Sequence, residues 1–166
     1  MQLPKFPKAQ NSFSHVLKER VYKYFEDNKI ASTGNAELYF KAIFLPILYI
    51  GTYVHIVFFT PPAIWAIAEC AFLGLVVAAI GFNIMHDGGH GSFSTKPWLN
   101  RIAFFSLNLL GGSAFMWNMK HNVIHHAYTN IDGLDDDIDA KPLLRMAITQ
   151  PKLGMHKYQH IYFWFL

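Results

Sequence analysis

Two long apolar runs dominate the pattern of hydrophobic and polar positions along the chain. Residues 42–59 form a run of 18 residues, about 27 Å long as a helix, and residues 63–85 form a run of 23 residues, about 34 Å long. A hydrocarbon core is about 30 Å thick, and a Thr-Pro-Pro turn separates the runs. The pattern therefore predicts a transmembrane helical hairpin. Inside it, His55 and Glu69 are ionisable residues at membrane depth, which by default indicate a functional site. Both lie toward the turn, so we favour solvation by interfacial water.

A shorter amphipathic pattern precedes the hairpin. Between residues 13 and 27, apolar side chains recur about every 3.6 residues with charged residues between them, and Ser12 is a suitable N-cap. This pattern predicts a helix that lies either on the membrane surface or against the cytosolic part of the protein, and the sequence leaves both positions open. We therefore expect residues 1–41 to form a cytosolic amphipathic segment.

The composition supports the membrane interpretation. Hydrophobic residues make up 52% of the 166 positions and charged residues only 15%, which is too apolar for an ordinary soluble domain. All 14 Lys and Arg lie in residues 1–41 or from residue 96 onward. Because basic flanks mark the cytoplasmic side of membrane spans, we expect a multi-pass protein whose N-terminus and post-hairpin chain lie in the cytoplasm.

Charge distribution and cysteine content argue against two other classes of protein. The basic residues form no stripe among stacking aromatic residues, which argues against a nucleic-acid partner. Cys70 is the single cysteine and lies in an apolar run, so a disulfide framework and a CxxC metal site are both excluded.

Five histidines form two dense clusters close to the apolar runs. The first histidine cluster is HDGGH (residues 86–90), and the second histidine cluster is HNVIHH (residues 121–126). Residues four apart share a helix face, and neutral imidazole is a common ligand of iron, zinc and copper. The last histidine of the second cluster is turned by a further ~100°, toward a neighbouring metal or a different coordination position. We predict a metal site that uses His86, His90, His121, His125 and His126.

A third apolar segment, residues 102–119, lies between the clusters. Hydropathy alone predicts a span, but a span would place the two clusters about 30 Å apart on opposite sides of the membrane. Gly111 and Gly112 also interrupt its middle. We therefore interpret residues 102–119 as a re-entrant or interfacial segment whose ends return to the cytoplasmic face, within one histidine-bearing region of residues 86–160. The alternative is a genuine span with two separate half-sites.

The acidic loop (residues 132–139, DGLDDDID) follows the second cluster. It is either a solvated loop or a source of carboxylates that accept the second N–H of ligand imidazoles. The candidates are Asp132, Asp135, Asp136, Asp137 and Asp139.

The end of the printed sequence adds one more apolar run. Residues 161–166 are all apolar or aromatic, and we expect them to begin another transmembrane helix. The predicted fold class is therefore an all-α integral membrane protein. Its parts are a transmembrane helical hairpin, cytosolic histidine-bearing helices and the start of a third transmembrane helix.

These motifs resemble those of the membrane fatty acid desaturases, more closely the bacterial acyl-CoA desaturases of the linoleoyl-CoA or delta-6 type. HDGGH matches the first histidine box of that family, HNVIHH the second, and HHAYTNIDGLDDDID the tract that follows. LKERVYKYFEDN, TGNAELYFKA and KYQHIYFWFL extend the resemblance over essentially the whole chain. The family's third box is absent, so we expect residues 1–166 to be the N-terminal portion of a single desaturase domain, inactive alone.

The resemblance implies a non-haem di-iron centre with two iron ions, and the five clustered histidines would be its ligands and catalytic residues. It implies dioxygen as co-substrate and a fatty acyl substrate, carried by CoA or by a lipid of the bilayer. No HPGG haem motif is present. The electron donor would therefore be a separate protein such as a ferredoxin or a b-type cytochrome.

Five of the aromatic residues between the two clusters would either line an acyl tunnel or anchor the protein at the membrane interface. They are Trp98, Phe104, Phe105, Phe115 and Trp117.

Two rival functions stay open from the sequence. Membrane hydroxylases of alkanes, sterols or sphingolipids use similar histidine boxes, and the TNIDGLDDDID tract favours a desaturase only through resemblance. A metal-binding or transport protein without enzymatic activity is the other rival. A transporter should hold its ligands at the bilayer midplane in broken helices, whereas both clusters here follow the predicted spans.

Overall fold

The first described helix precedes the membrane hairpin. The computed structural model describes residues 12–166, and every regular element in that range is helical. Helix α1 spans Phe13–Asp27, and the Ser12 hydroxyl accepts a hydrogen bond from the His15 backbone N–H at 3.4 Å. The predicted amphipathic helix and its cap are therefore confirmed, while its position at a membrane surface stays a prediction. Residues 1–11, where the predicted cytosolic segment begins, lie outside the described residues.

The hairpin consists of two long apolar helices. Helix α2 spans Ala36–Val54 and continues as a π-helical turn through Phe59; helix α3 spans Ala63–Ile80 and continues through a second π-helical turn into the short helix α4, His86–Gly89. The resulting stretches, Ala36–Phe59 and Ala63–Gly89, are 24 and 27 residues long and apolar enough to cross a membrane.

Both helices extend beyond the predicted spans at the end away from the turn. The Asn35 side chain accepts a hydrogen bond from the Leu38 backbone N–H at 2.9 Å, so the first helix begins six residues before position 42. The second helix continues past residue 85 to Gly89, inside the first histidine cluster, and His90 is its C-cap. His86 and His90 therefore lie at the end of a helical stretch that is long and apolar enough to cross a membrane.

The core lies where the half of the hairpin farther from its turn meets the chain that follows it. Val76, Ile80 and Ile84 of the second helix pack with Phe93 and Ala103. No residue of α2 is buried, and α2 and α3 are apolar on nearly every side. Exposed apolar faces of this kind suit contact with hydrocarbon.

His55 and Glu69 form a pair inside the hairpin. Nδ1 of His55 lies 2.8 Å from Oε2 of Glu69, so the two helices are joined by a polar contact near their turn. The sequence suggested separate solvation by interfacial water. Pairing is the physically cheaper arrangement at membrane depth, because each group supplies the hydrogen bond that the other needs.

A broken helical segment returns the chain to the first histidine cluster. Helix α5 spans Pro97–Leu109 and helix α6 spans Ala114–Trp117, followed by a π-helical segment, Asn118–His125, and by α7, His126–Tyr128. The break falls at Gly111, whose φ is +89°, a backbone conformation that glycine adopts without strain. The Ser113 hydroxyl caps the next helix by accepting a hydrogen bond from the Met116 backbone N–H at 3.3 Å, and the Asn108 side chain accepts one from the Ala114 backbone N–H at 2.8 Å.

The predicted interruption of residues 102–119 is therefore observed, whereas the position of this segment relative to a bilayer stays a prediction. Beyond α7 the chain forms turns and short helices: the 3₁₀ turns Asp136–Ile138 and Gly154–Tyr158, helix α8, Gln159–Tyr162, and the 3₁₀ turn Phe163–Phe165. That residues 161–166 begin another transmembrane helix also stays a prediction.

Candidate metal centre

Two glycines shape the first histidine cluster. A Cβ atom on Gly88 would lie 2.5 Å from the backbone nitrogen of Phe104, and one on Gly89 would lie 2.6 Å from Cζ3 of Trp117. Glycine at both positions therefore lets α5 and α6 approach α4 closely. The rings of His86 and His90 face the same side of α4, with centroids 4.4 Å apart.

A π-helix carries the second histidine cluster. The rings of His121 and His125 stack with centroids 5.0 Å apart, and the ring of His126 lies 4.9 Å from that of His121. Each residue of a π-helix turns the chain through less than the ~100° of an α-helix. His126 is therefore turned less far from the shared face than α-helical spacing predicted, and all three imidazoles gather on one side.

The two clusters meet. Ring centroids lie 5.2 Å apart for His86 and His121, and 4.8 Å apart for His90 and His126. One nitrogen from each of His86, His90 and His121 lies within 4.8 Å of the others. Two nitrogens on opposite sides of one ion are about 4.2 Å apart, so a small closure would bring this set onto a single metal ion.

Two aspartates of the acidic loop contact Nδ1 atoms of the second histidine cluster. Oδ2 of Asp137 lies 3.0 Å from Nδ1 of His121 and 3.4 Å from Nδ1 of His125, and Oδ1 of Asp135 lies 2.9 Å from Nδ1 of His125. A carboxylate at Nδ1 accepts the N–H there and leaves the lone pair on Nε2. The two carboxylates therefore select the tautomer that a metal requires.

Asp135 is the more deeply buried of the two. It is 1% exposed, and its carboxylate also accepts the backbone N–H groups of Asn130 at 2.8 Å and Asp137 at 3.0 Å. Burial alone raises the pKa of this carboxyl, but the hydrogen bonds from His125 and the two backbone groups outweigh it, and the pKa lies below its ordinary value. Asp135 is therefore ionised and fixed in place.

His121 provides the test of whether these residues fit a metal. Its Nδ1 is bound to Asp137, while its Nε2 is buried and has no hydrogen-bond partner among the described residues. A buried nitrogen without a partner is costly. A metal ion bound at Nε2 would remove that cost, and the donor set of imidazoles backed by carboxylates suits iron, zinc or copper.

The remaining aspartates have other partners. Asp136 forms an ion pair with Lys120 at 3.0 Å, and Asp139 forms one with Lys141 at 3.2 Å. Asp132 accepts hydrogen bonds from Lys141 and from Gln150. Only two of the five candidates in the acidic loop therefore reach the histidines.

The pKa values of two histidines favour metal binding. Burial lowers the pKa of His90 and of His126 below the ordinary value, and the neighbouring histidines lower both further by repulsion. Imidazole must be neutral to bind a metal. The crowding of the cluster therefore keeps these two rings in the binding form.

Sequence reasoning did not single out Asn122, and it did not place Trp117 against a ligand. The Asn122 side-chain amide donates hydrogen bonds to the Gly89 carbonyl at 3.0 Å and to the Asn118 side chain at 2.9 Å. The Trp117 ring stacks on His121 with a centroid distance of 4.4 Å. The signal in the sequence was the spacing: Asn118 and Asn122 are four residues apart, as are Trp117 and His121, and residues four apart share a helix face.

A cavity of about 560 Å³ adjoins the histidines. Its wall is largely apolar, and its polar end is formed by the cluster itself; the lining residues are Ala78, Gly81, Phe82, Met85, His86, Trp117, His121 and Asp137. Of the aromatic residues considered for an acyl tunnel, Trp117 lines this cavity, and Phe104 packs on Trp117 at 5.5 Å. Trp98, Phe105 and Phe115 do not line it and are largely exposed.

Comparison with known proteins identifies the family. The family model described as fatty acid desaturase matches residues 60–166, which include both histidine clusters and the acidic loop. This chain belongs to the fatty acid desaturase family. Among similar proteins, an sn-1 linoleoyl-lipid 6-desaturase of Arthrospira platensis is 36% identical over 155 residues, which cover 93% of this chain and 42% of that protein.

Two further relatives extend the comparison. An acyl-lipid (8-3)-desaturase of Physcomitrium patens is 37% identical over 157 residues, covering 93% of this chain and 33% of the relative. An sn-1 linoleoyl-lipid 6-desaturase of a Synechocystis species is 31% identical over 157 residues, covering 93% and 43%. The chain thus spans less than half the length of these relatives. No solved structure matches it.

Proposed function

We propose that this chain contributes a histidine-ligated di-iron centre to an oxygen-dependent desaturase of lipid-bound acyl chains. The observation that carries the proposal is His121, whose Nδ1 is held by Asp137 while Nε2 is buried without a partner among the described residues. The five histidines of both clusters would hold the two irons. Membership of the desaturase family supports iron over zinc or copper as the metal.

Iron, when bound, supplies the redox chemistry by which dioxygen removes two hydrogens from an unactivated methylene pair. The balance requires two electrons and two protons besides dioxygen, and it yields one double bond and two waters. A separate ferredoxin or b-type cytochrome would supply the electrons. The residues of this chain would bind the metal, position the acyl chain and exclude water.

The cavity beside the histidines suits an acyl chain. Phe82 and Met85 give it an apolar wall, and His86 and His121 stand at its polar end. An alkyl chain in this space would bring its methylene groups to the imidazoles and displace water from them. Asp135 and Asp137 would hold the second cluster rigid, which is how outer carboxylates support metal sites.

The relatives indicate how the substrate is carried. Two of the proteins described above are named linoleoyl-lipid desaturases, and the third is named an acyl-lipid desaturase. We therefore favour an acyl chain esterified to a membrane lipid over an acyl-CoA. A lipid substrate reaches a site at the end of a membrane helix by lateral diffusion, without leaving the bilayer.

The proposed topology is multi-pass with the N-terminus and both clusters in the cytoplasm. Basic residues flank the hairpin on the side that carries the clusters, and positions 42–95 contain no Lys or Arg. The segment 102–119 would be re-entrant, because both of its ends approach the histidines. A cytoplasmic position would also give a soluble electron donor direct access to the metal centre.

The test is expression of the whole protein that contains this chain in a host that lacks the activity. Analysis of fatty acid methyl esters should reveal an additional double bond, absent with His121→Ala and retained with His160→Ala, which removes an exposed histidine outside both clusters. Purified protein should contain iron that His121→Ala loses. Hydroxylated products without a double bond would instead assign the site to a hydroxylase.

A further inference from the structure

The chain after the acidic loop carries only positive charge. All 11 acidic residues lie at or before Asp139, whereas Lys141, Arg145, Lys152 and Lys157 follow. Lys141 is neutralised by Asp132 and Asp139. No carboxylate among residues 12–166 forms an ion pair with the two remaining lysines, so this part of the protein presents excess positive charge.

A tight loop, residues 145–150, lies in the same region, and most of its backbone polar groups are hydrogen-bonded within the protein. The buried Gln150 side chain accepts the backbone N–H groups of Met146 at 2.8 Å and Ala147 at 3.2 Å. The Arg145 guanidinium donates to the carbonyls of Gln150 and Ile148. The N–H groups of Ile148 and Thr149 and the carbonyls of Met146 and Thr149 have no partner among residues 12–166, so the backbone is bound at the base of the loop and open at its tip.

The loop is also fixed to the metal centre. Nε2 of Gln150 donates to the Ile138 carbonyl at 3.0 Å and to Asp132 at 3.3 Å, both in the acidic loop. The backbone of Arg145 exchanges two hydrogen bonds with the Gln159 side chain at 3.1 Å. Because the acidic loop holds His121 and His125, the position of loop 145–150 is rigidly related to the histidines.

The side chains at the tip of this loop are apolar and point outward. Ile148 is 89% exposed and Met146 is 53% exposed. Turns ordinarily carry Gly, Asn, Asp or Ser at their tips, so a β-branched apolar residue here is unusual. Outward apolar side chains suit a loop that enters the lipid interface, where water still reaches the open backbone groups of the tip.

We propose that loop 145–150 inserts Met146 and Ile148 into the interface of the bilayer, while Lys152 and Lys157 bind anionic lipid headgroups. This would be a membrane contact separate from the hairpin, and it would fix the height of the metal centre above the acyl chains. An acidic protein partner would match the charge equally well. The apolar tip favours lipid, and the contact does not depend on metal or on turnover.

The single cysteine of this chain makes the contact measurable. In a Cys70→Ser background, Ile148→Cys is labelled with an environment-sensitive fluorophore, and the whole chain is placed in nanodiscs of phosphatidylcholine alone or with phosphatidylglycerol. Quenching by a lipid-borne spin label is compared with quenching by iodide. We expect lipid-borne quenching to dominate and to rise with phosphatidylglycerol. Met146→Cys repeats the measurement at a second exposed position.

Charge variants test whether Lys152 and Lys157 bind the anionic headgroups. Each lysine near an anionic surface strengthens membrane association about fivefold, so Lys152→Gln with Lys157→Gln should abolish most of the increase caused by phosphatidylglycerol. Lys18→Gln with Lys23→Gln removes an equal charge from α1 and should leave that increase in lipid-borne quenching unchanged. Dominant iodide quenching in both lipid mixtures would overturn the proposal. So would a label shielded from both quenchers, which is the result expected if protein covers the loop.

Discussion

The side-chain amide of Asn122 donates a hydrogen bond to the backbone carbonyl of Gly89 at 3.0 Å, across 33 residues of sequence. This contact joins the two histidine clusters directly and uses no metal. The same amide also donates to Asn118, so its direction is fixed from within the π-helix. The distance between the clusters is therefore set in part by protein contacts that precede metal binding.

Replacement of this amide should loosen the metal centre. Asn122→Ala removes the bond and leaves the Gly89 carbonyl without it, a loss of about 1–3 kcal/mol when the group is buried. We expect metal affinity to fall about tenfold, measured by metal titration of the purified protein with a competing chelator. Asn28→Ala is the matched control. It removes a hydrogen bond that a side-chain amide donates at the end of α1, and it should leave metal affinity unchanged.

The carboxylate of Asp137 should be as important as a direct ligand. It faces Nδ1 of both His121 and His125, and loss of such a carboxylate typically weakens metal binding about 10–100-fold. Asp137→Asn should show this loss in the same titration. Asp139→Asn removes an equal charge from the same loop, but Asp139 forms its ion pair with Lys141 and not with a histidine. We therefore expect less than a twofold change in metal affinity. Equal effects of the two variants would show that loop charge alone matters.

The pH dependence of stability follows from the two histidines with lowered pKa values, His90 and His126. The unfolded chain takes up protons as the pH falls through about 6.5, while the folded protein resists protonation until lower pH. The free energy of unfolding of the metal-free protein should therefore be level above about pH 7 and decrease below about pH 6.5.

Thermal unfolding in detergent across this pH range is the measurement. Replacement of both histidines by glutamine should flatten the decrease, because glutamine does not titrate. His15→Gln, on the exposed surface of α1, should preserve it. An unaltered slope in the double variant would show that other groups cause the dependence.

The larger features of this protein were predictable from local pattern. Apolar run length predicted the hairpin, and histidine spacing predicted which imidazoles share a face, because both depend on helix geometry alone. The pair Gly111 and Gly112 predicted an interruption between the clusters, and the chain is broken there. Hydropathy marked the apolar spans and not the helix ends, because an asparagine cap and a histidine-bearing turn carry no hydropathy signal.

The π-helix under the second cluster was not predictable from the sequence. A hydrogen-bond shift of one residue changes the direction of His126, yet the residue pattern HNVIHH is equally compatible with an α-helix. The division of the acidic loop was also beyond reach, since Asp135, Asp136 and Asp137 are consecutive. Their partners depend on the turn of the 3₁₀ helix that begins at Asp136.

The glycine pair of the first cluster offers the sharpest test of the packing. A methyl group at Gly88 would meet backbone atoms of α5, which cannot rotate away, at 2.5 and 2.7 Å. Overpacking of this kind costs about 1–3 kcal/mol, so Gly88→Ala should lower the midpoint of thermal unfolding and reduce bound metal. Gly74→Ala, within the same long helical stretch, has no atom within 4 Å of the added Cβ, and stability should be unchanged or slightly raised. A Gly88→Ala protein with normal stability and full metal content would contradict the close approach of α5 to the first histidine cluster.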